Sequence, residues 1–334
     1  MRFVYFLVTA SLLATVSLLS GCADDDETTT VTGLPAASSE TISFLEDYTI
    51  VFADSLRARD LLQSSDEYTQ QLGLFDLQSK TQNAEATTEG DYLAHAARQA
   101  RNWTADEITA LRTIIASAEA RIEALDLRLD LPSEIVLVRS TMQEEGGAAG
   151  YTRSNFIVLG GRLSEYLFLH ELFHVYSRAN PTVRDALYAT IGFRKTNEIV
   201  LPEPLATRKI SNPDAPVHDH VVRVTIDGVA QDAIFVLYSE RDYVQGTFFD
   251  YLNKSLLLVE GEGGNQQAQL ENGQPVLRRY DEATDLRQII GRNTDYDIDP
   301  EEVMADHFTL LVLGAPVPEP ELLEQARAIL QETQ

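Results

Sequence analysis

Cysteine is almost absent from this chain, since Cys22 is the single one among 334 residues. A disulfide within the chain is therefore impossible. Beyond Cys22, no thiolate is available to bind a metal or to act as a catalytic nucleophile. Any metal site in the folded part must be built from histidine and carboxylate side chains.

Basic residues are scarce as well. The chain has 26 lysines and arginines against 52 aspartates and glutamates, a formal net charge of −26 at pH 7. This excess of negative charge repels phosphate groups, so nucleic acids and anionic membrane surfaces are poor partners. With 44% hydrophobic residues the chain still has ample material for a folded core. We expect no nucleic-acid partner and regard the acidic surface as a solubility device.

No apolar run of membrane-spanning length follows the first 20 residues. Arg2 precedes an uncharged apolar run over residues 3–18, which is typical of a signal peptide. The Leu-Ser-Gly-Cys sequence that ends at Cys22 resembles the lipobox of bacterial lipoproteins. This resemblance implies that residues 1–21 are removed and that a lipid on Cys22 anchors the protein in the bacterial cell envelope. An ordinary secretory signal with an incidental cysteine is the alternative.

The first part of the mature chain is expected to be a tether followed by helices. Residues 22–40 lack apolar periodicity and predict a flexible tether. Residues 41–130 are expected to form a helical N-terminal region, with a first helix over residues 42–62 and polar loops over residues 64–90. A further helix is predicted near Asp91. The Thr-Ala-Asp-Glu sequence that ends at Glu107 is a capping box and predicts a well-marked helix start.

Residues 131–334 alternate between strand and helix patterns. Apolar runs predict strands at residues 134–139 and 155–159, the second at a sheet edge, just before a helix over residues 163–178. Asp227-Gly228 predicts a hairpin turn, and the four prolines of residues 201–216 predict an ordered loop. Asp299 and the proline after it predict the start of a last major helix. The expected fold is α+β, with a mixed or antiparallel sheet.

The sequence His-Glu-Leu-Phe-His at residues 170–174 is the most informative motif of the chain. Four-residue spacing places His170 and His174 on one face of a helix, where both imidazoles can bind one zinc ion. Glu171 lies beside them and is the candidate general base. Zinc lowers the pKa of a bound water to about 7, and a carboxylate next to the ligands can take the proton that this water loses.

Two histidines leave a catalytic zinc one protein ligand short. Glu302 and Asp306 lie four residues apart on the last major helix. HExxH followed by ExxxD resembles the gluzincins, the thermolysin-like class of zinc metallopeptidases. The resemblance covers residues 150–315 and implies a zincin-like fold with Glu302 as third ligand, and Asp306 as the residue that orients His170. The long segment between the two motifs looks like an insertion, typical of a divergent branch.

Several alternatives stay open at this point. A capping box beginning at Asp299 would also explain Glu302. His218 and His220 form a weaker candidate metal pair on one face of a strand. His307 neighbours Asp306 but is expected to point about 100° away from the metal-binding face. Gluzincins also use a Tyr or His to stabilise the tetrahedral intermediate, and the candidates are His218, His220, Tyr243, Tyr280 and Tyr296.

The sequence therefore predicts a lipid-anchored zinc peptidase that acts on peptides or proteins at the bacterial envelope. A zincin-like lipoprotein that binds without catalysis is the main alternative. A helical lipoprotein with an accidental HExxH motif would hold no stoichiometric metal. The sequence does not specify the substrate, and an amidase that acts on cell-wall peptides fits the same motif.

Lipid attachment at Cys22 can be tested by Cys22→Ser. Without the thiol that accepts the lipid, the protein should leave the membrane fraction or keep its signal peptide. Cell fractionation and the mass of the purified chain measure both outcomes. Unchanged membrane retention together with normal maturation would contradict the assignment.

Overall fold

The computed structural model describes residues 40–332; Cys22, the predicted signal peptide and the tether up to residue 39 lie outside them. Among the described residues no helix is long and apolar enough to cross a membrane. The α-helices in this part of the chain are α1 (Ser55–Leu62), α2 (Glu67–Gln70), α3 (Leu74–Thr81), α4 (Glu89–Ala97), α5 (Ala105–Ala124), α6 (Glu165–Ala179), α7 (Pro181–Thr190), α8 (Leu286–Ile289), α9 (Pro300–Leu313) and α10 (Pro320–Gln331).

The first sheet is mixed. Its strands are β1 (Glu40–Phe44), β2 (Tyr48–Phe52), β3 (Ala100–Arg101), β4 (Glu134–Ser140), β5 (Gly150–Arg153) and β6 (Phe156–Leu159). They lie in the order β1-β2-β4-β6-β5, with β3 paired to β4. Strands β2, β4 and β6 are parallel, whereas β1 and β5 pair antiparallel with their neighbours. The expected strand at residues 155–159 is confirmed, but its expected edge position is wrong, because β5 covers it and forms the edge.

The helix predicted over residues 42–62 is confirmed only in its last eight residues. Residues 42–52 belong instead to the β1–β2 hairpin, which turns at Leu45 and Glu46, both at positive φ. β-Branched and aromatic residues make up eight of the ten residues of β1 and β2, and such side chains favour strands. Strand β2 then pairs with β4, so the N-terminal region contributes to the same sheet as the strands after residue 131.

The polar stretch at residues 64–90 was expected to be a loop and instead contains α2 and α3. Helix α2 has a capping box between Asp66 and Thr69. The predicted helices near Asp91 and after Thr104 are confirmed as α4 and α5, and Thr104 and Glu107 make the expected capping box. Polarity misled here because these short helices bury polar side chains, such as Thr69 of α2 and Asp76, Ser79 and Lys80 of α3.

Strand β4 shows how the first sheet is held between two layers of helices. Ile135 and Leu137 pack into the main core with α5 and α6, whereas Val136 and Val138 pack into a second core with α1 and α4. Successive strand residues point to opposite faces, so a strand buried on both sides must be apolar throughout.

The second sheet is antiparallel. Its strands are β7 (Phe193–Lys195), β8 (His220–Ile226), β9 (Val229–Tyr238), β10 (Asn253–Glu260), β11 (Gln267–Ala268) and β14 (Leu277–Arg278), and a small separate pair is formed by β12 (Leu270–Glu271) and β13 (Gln274–Pro275). The hairpin predicted at Asp227-Gly228 is confirmed, with both residues at positive φ. An α+β architecture with mixed and antiparallel sheets is therefore confirmed.

Helices α6 and α9 pack against each other inside the main core. Helix α6 begins after Ser164, whose side chain accepts from the Leu167 N–H, and ends at Asn180, which also precedes α7. Helix α9 begins as predicted, with Asp299 as N-cap and proline at the first helical position. The rings of Phe173 and Phe308 meet at 5.6 Å between the two helices.

A buried ion pair joins α3 to the loop before β5. The side chains of Lys80 and Glu145 are 0% and 2% exposed, and they bind each other. The hydroxyls of Tyr68 and Tyr92 donate to the same Glu145 oxygen at 2.6 and 2.7 Å. Burial, followed by the charge of Glu145, raises the pKa of both tyrosines well above its usual range, so both remain donors. The pair fixes the chain just before the edge strand.

Lys80→Met should destabilise the fold by about 3–5 kcal/mol, because Glu145 would be left as an unpaired buried charge. Urea unfolding of the variant and the parent measures the difference. Arg279→Met is the matched control, since Arg279 and its partner Asp281 are exposed to solvent and the unfolding midpoint should not move. A Lys80→Met protein as stable as the control would contradict the role given to this pair.

Candidate metal centre

Three side chains that the sequence predicts as zinc ligands converge between α6 and α9. His170 Nε2 lies 2.9 Å from Glu302 Oε2, and His174 Nε2 lies 3.6 Å from the same oxygen. All three side chains are buried, and their ligand atoms lie within 4.8 Å of one another. The ligand set expected for a catalytic zinc is therefore assembled by one turn of α6 and the first turn of α9.

The outer nitrogen of each histidine is held by a carboxylate. Nδ1 of His170 donates to Asp306 Oδ1 at 3.1 Å, and Nδ1 of His174 donates to Glu301 Oε1 at 2.8 Å. Each hydrogen bond fixes the ring and directs the remaining Nε2 toward Glu302, as carboxylates do for metal-bound histidines. The Nε2 of His174 is buried and has no hydrogen-bond partner among the described residues. Such an atom fits a metal ligand, because buried polar atoms otherwise find partners.

Asp306 occupies the position that the sequence predicted for it. Besides His170, it accepts hydrogen bonds from the hydroxyl of Tyr166 at 2.6 Å and from that of Thr294. These donors hold the carboxylate in place, and they lower its pKa together with the bond from His170, although burial opposes them. Asp306 is thereby kept ionised and acts as a fixed acceptor for His170.

Glu301 was missed by the sequence analysis. Its carboxylate binds His174 and also accepts from the hydroxyls of Ser177, at 2.6 Å, and Tyr188. An acidic residue in the first turn of a helix is explained equally well by the helix dipole, so its sequence position alone carries no signal. Its role depends on how α9 is rotated against α6.

Glu302 does not make the capping contact that was the alternative explanation for it. Asp299 caps α9 by accepting from the Glu301 N–H, while the Glu302 carboxylate points to the two histidines. Its other oxygen accepts from the Asn212 side chain at 2.6 Å. Burial opposes ionisation, but His174 and His170 are close enough to lower the pKa of Glu302 far below its usual range.

Glu171 lies against the edge strand. Thr152 Oγ1 donates to Glu171 Oε2 at 2.8 Å. A Cβ atom on Gly150 would lie 2.7 Å from Glu171 Oε1, so only glycine allows the strand to approach this carboxylate so closely. Burial raises the pKa of Glu171, although His174 and His170 oppose the shift. A raised pKa favours a carboxylate that takes up a proton near neutral pH.

The proline-rich loop at residues 201–216 reaches the same place, which the sequence did not indicate. Asn212 binds Glu302, and Asp214 Oδ1 accepts from the Thr152 N–H at 2.7 Å. Ligand atoms of Asp214, Glu171 and His174 also lie within 4.8 Å of one another and form a second triplet that could hold a metal ion. Burial raises the pKa of Asp214 well above its usual value, and Glu171 and Glu302 add to this against His174 and Arg178.

The charges of this site call for a cation. Burial lowers the pKa of His170, but its hydrogen bonds with Asp306 and Glu302 outweigh burial and raise that pKa to about 10. The pKa of His174 is also raised, since Asp214 and Glu302 outweigh the effect of burial. A group of close carboxylates that draws protons onto neighbouring imidazoles is one that a divalent cation stabilises.

Of the other candidate residues, only Tyr296 lies at this site in the described part of the chain. Tyr296 lies at the site, 6.0 Å from the His170 ring between ring centroids, and is 45% exposed. His220 binds Asp219 and Asp185 through its two nitrogens, and neither candidate metal group in residues 40–332 includes His218 or His220. Three further candidates lie in other surroundings: Tyr243 packs against Phe75, Tyr280 packs against Phe235, and His307 is buried with no hydrogen-bond partner for either nitrogen within residues 40–332.

Glu302→Ala should reduce zinc affinity by more than the factor of about 10 to 100 that is typical when a residue orienting a ligand is lost. Asp306→Ala should fall within that range, because it removes the support of His170 and no ligand. Competition with a chromophoric zinc chelator measures both.

Glu321→Ala, at an exposed position of α10, is the control and should bind zinc like the parent. If Glu302→Ala keeps the parent affinity and loses only thermal stability, Glu302 stabilises α9 and the third ligand lies elsewhere.

Comparisons with known proteins give no further guidance, since no family model, no curated protein and no solved structure matches the chain. The site is therefore interpreted from its own geometry.

Proposed function

We propose that this protein is a zinc-dependent peptidase with a gluzincin-like ligand set and a zincin-like fold. The observation that supports it most is the convergence of His170, His174 and Glu302, with a separate carboxylate, Glu171, beside them. Two imidazoles and one glutamate leave a zinc ion with an open position, as hydrolytic zinc sites require. A purely structural zinc site would use four protein ligands.

Zinc in this position would supply a Lewis acid that polarises a carbonyl group and makes water acidic. The chain itself supplies the base. Glu171 takes a proton from the attacking water and passes it to the leaving amine, and Thr152 holds the carboxylate in place for both transfers. Because Glu171 is 3% exposed, bulk water does not compete for its hydrogen bonds.

The position of strand β5 is the argument for a peptide as the substrate. It is an edge strand whose Gly150 passes directly beside Glu171, so an extended peptide can pair with it and bring a carbonyl to the base. Tyr296 lies beside His170 and is partly exposed, so its hydroxyl is the candidate donor to negative charge that develops on the carbonyl oxygen.

The proposal includes the location predicted from the sequence. A lipid on Cys22 would hold the enzyme in the membrane of the bacterial envelope, and its substrates would be peptides or proteins found there. The lipid would mediate the membrane contact, because the acidic surface does not favour anionic headgroups.

Glu171→Gln should lower the rate of peptide hydrolysis by about 10²- to 10⁴-fold, because the amide cannot accept the proton from water. Zinc content should stay at the parent level, since Glu171 is not one of the three converging ligands. Mass spectrometry of a peptide mixture measures turnover, and atomic absorption measures zinc.

Glu165→Gln on the same helix is the matched control. Glu165 binds Ser117 and Arg121 at the start of α6, five residues before His170 and nine before His174, so its loss should leave turnover unchanged. A Glu171→Gln protein with zinc and full activity would refute the assignment. A zinc-bound parent that hydrolyses no peptide would favour the binding lipoprotein.

A further inference from the structure

The edge of strand β5 is open for only part of its length. The main-chain N–H and carbonyl of Thr152 point away from β6, and both groups already have hydrogen-bond partners within the protein. Its N–H donates to Asp214 Oδ1 at 2.7 Å, and its carbonyl accepts from Arg178 Nη2 at 3.3 Å. Gly150 lies two residues earlier and faces the same edge, because strand residues alternate in direction. A peptide can therefore pair at Gly150, beside Glu171, but its path is blocked at Thr152.

The residue that blocks the edge brings a carboxyl group to the candidate metal centre, and a cation bound there favours the ionised form of that group. A carboxylate oxygen of Asp214 lies within 4.8 Å of ligand atoms of both Glu171 and His174. The Thr152 N–H uses one oxygen of Asp214, and the partly buried carboxylate keeps further acceptor capacity. A peptide that ends at this point would place its terminal group against Asp214.

The charge of the site decides which terminus of a peptide fits. A C-terminal carboxylate would be repelled by Asp214 and Glu171. Arg178 also lies beside Asp214, but its guanidinium donates to the main-chain carbonyls of residues 152, 154, 213 and 214. An N-terminal ammonium group would instead form a charge-assisted hydrogen bond with the Asp214 carboxylate.

We propose that Asp214 binds the N-terminal ammonium group of the substrate, so that the enzyme is an aminopeptidase that removes one residue at a time. This inference rests on the proposed peptidase function. Hydrolysis then adds water across the first peptide bond, breaks its C–N bond, and releases one free amino acid and a peptide shortened by one residue. Asp214 is a specificity residue, and the bond-breaking chemistry remains with Glu171.

The test uses zinc-loaded full-length protein and a mixture of Xaa-Ala-Ala-Ala peptides, in free and N-acetylated forms. The parent should cleave the free peptides at least about 10- to 100-fold faster in kcat/KM, the range for one hydrogen bond to a charged group. Free amino acids should be the first products. Asp214→Asn keeps an oxygen for the Thr152 N–H and removes the charge, so this preference should disappear.

Asp281→Asn, at an exposed position far along the chain, controls for loss of an acidic residue and should keep the parent preference. Unfolding midpoint and zinc content are measured for each variant. An unchanged preference in Asp214→Asn would overturn the inference, as would internal cleavage of acetylated peptides by the parent. Loss of zinc from Asp214→Asn would overturn it too, and would make Asp214 a metal ligand.

A second measurement separates this inference from the proposed function. Binding of Ala-Ala-Ala-Ala and its N-acetylated form to the zinc-loaded Glu171→Gln protein needs no turnover. The free form should bind about 10- to 100-fold more tightly, and adding Asp214→Asn should remove the difference. Equal affinities would overturn the role of Asp214 even if hydrolysis is observed. A clear difference in affinity without any hydrolysis by the parent would support the role of Asp214 and contradict the proposed peptidase activity.

Discussion

The packing of α6 against α9 is the interaction on which the site depends. One turn of α6 presents two imidazoles, and the first two turns of α9 present Glu301, Glu302 and Asp306 to them. Each imidazole binds one carboxylate through Nδ1 and turns Nε2 toward Glu302. The apolar contacts of these helices, including Phe173 against Phe308, hold the geometry from the side that faces the core. Small rotations of either helix would separate the donors, because the ligand atoms converge on a single point.

The surroundings of Glu171 come from parts of the chain that are far apart in sequence. Strand β5 brings Gly150 and Thr152 to Glu171, and the proline-rich loop brings Asn212 and Asp214 to the same place. The loop before β5 is fixed in turn by the buried pair of Lys80 and Glu145. The position of Glu171 is thus supported from α3 through the loop to the edge strand, and the proline-rich loop covers part of that edge.

Much of the site could be predicted because periodicity and helix caps are local signals. His170, Glu171, His174, Glu302 and Asp306 were all identified from spacing on helices, and the structure brings them together. Glu301, Thr152 and Asp214 could not be found in this way, since their roles depend on which elements pack together. The hairpin at residues 40–52 was mistaken for a helix because a few apolar residues fit both the helical and the strand periodicity. Its β-branched and aromatic composition was the better guide. The contact of the proline-rich loop with the site likewise cannot be predicted from residue spacing.

Anomalous diffraction at the zinc absorption edge can locate the one zinc ion that we propose His170, His174 and Glu302 bind. Crystals of the zinc-loaded protein should give a single anomalous peak about 2.0–2.2 Å from the two Nε2 atoms and a Glu302 oxygen. A peak among Glu171, His174 and Asp214 instead, or no peak between α6 and α9, would show that His170, His174 and Glu302 do not form the zinc site.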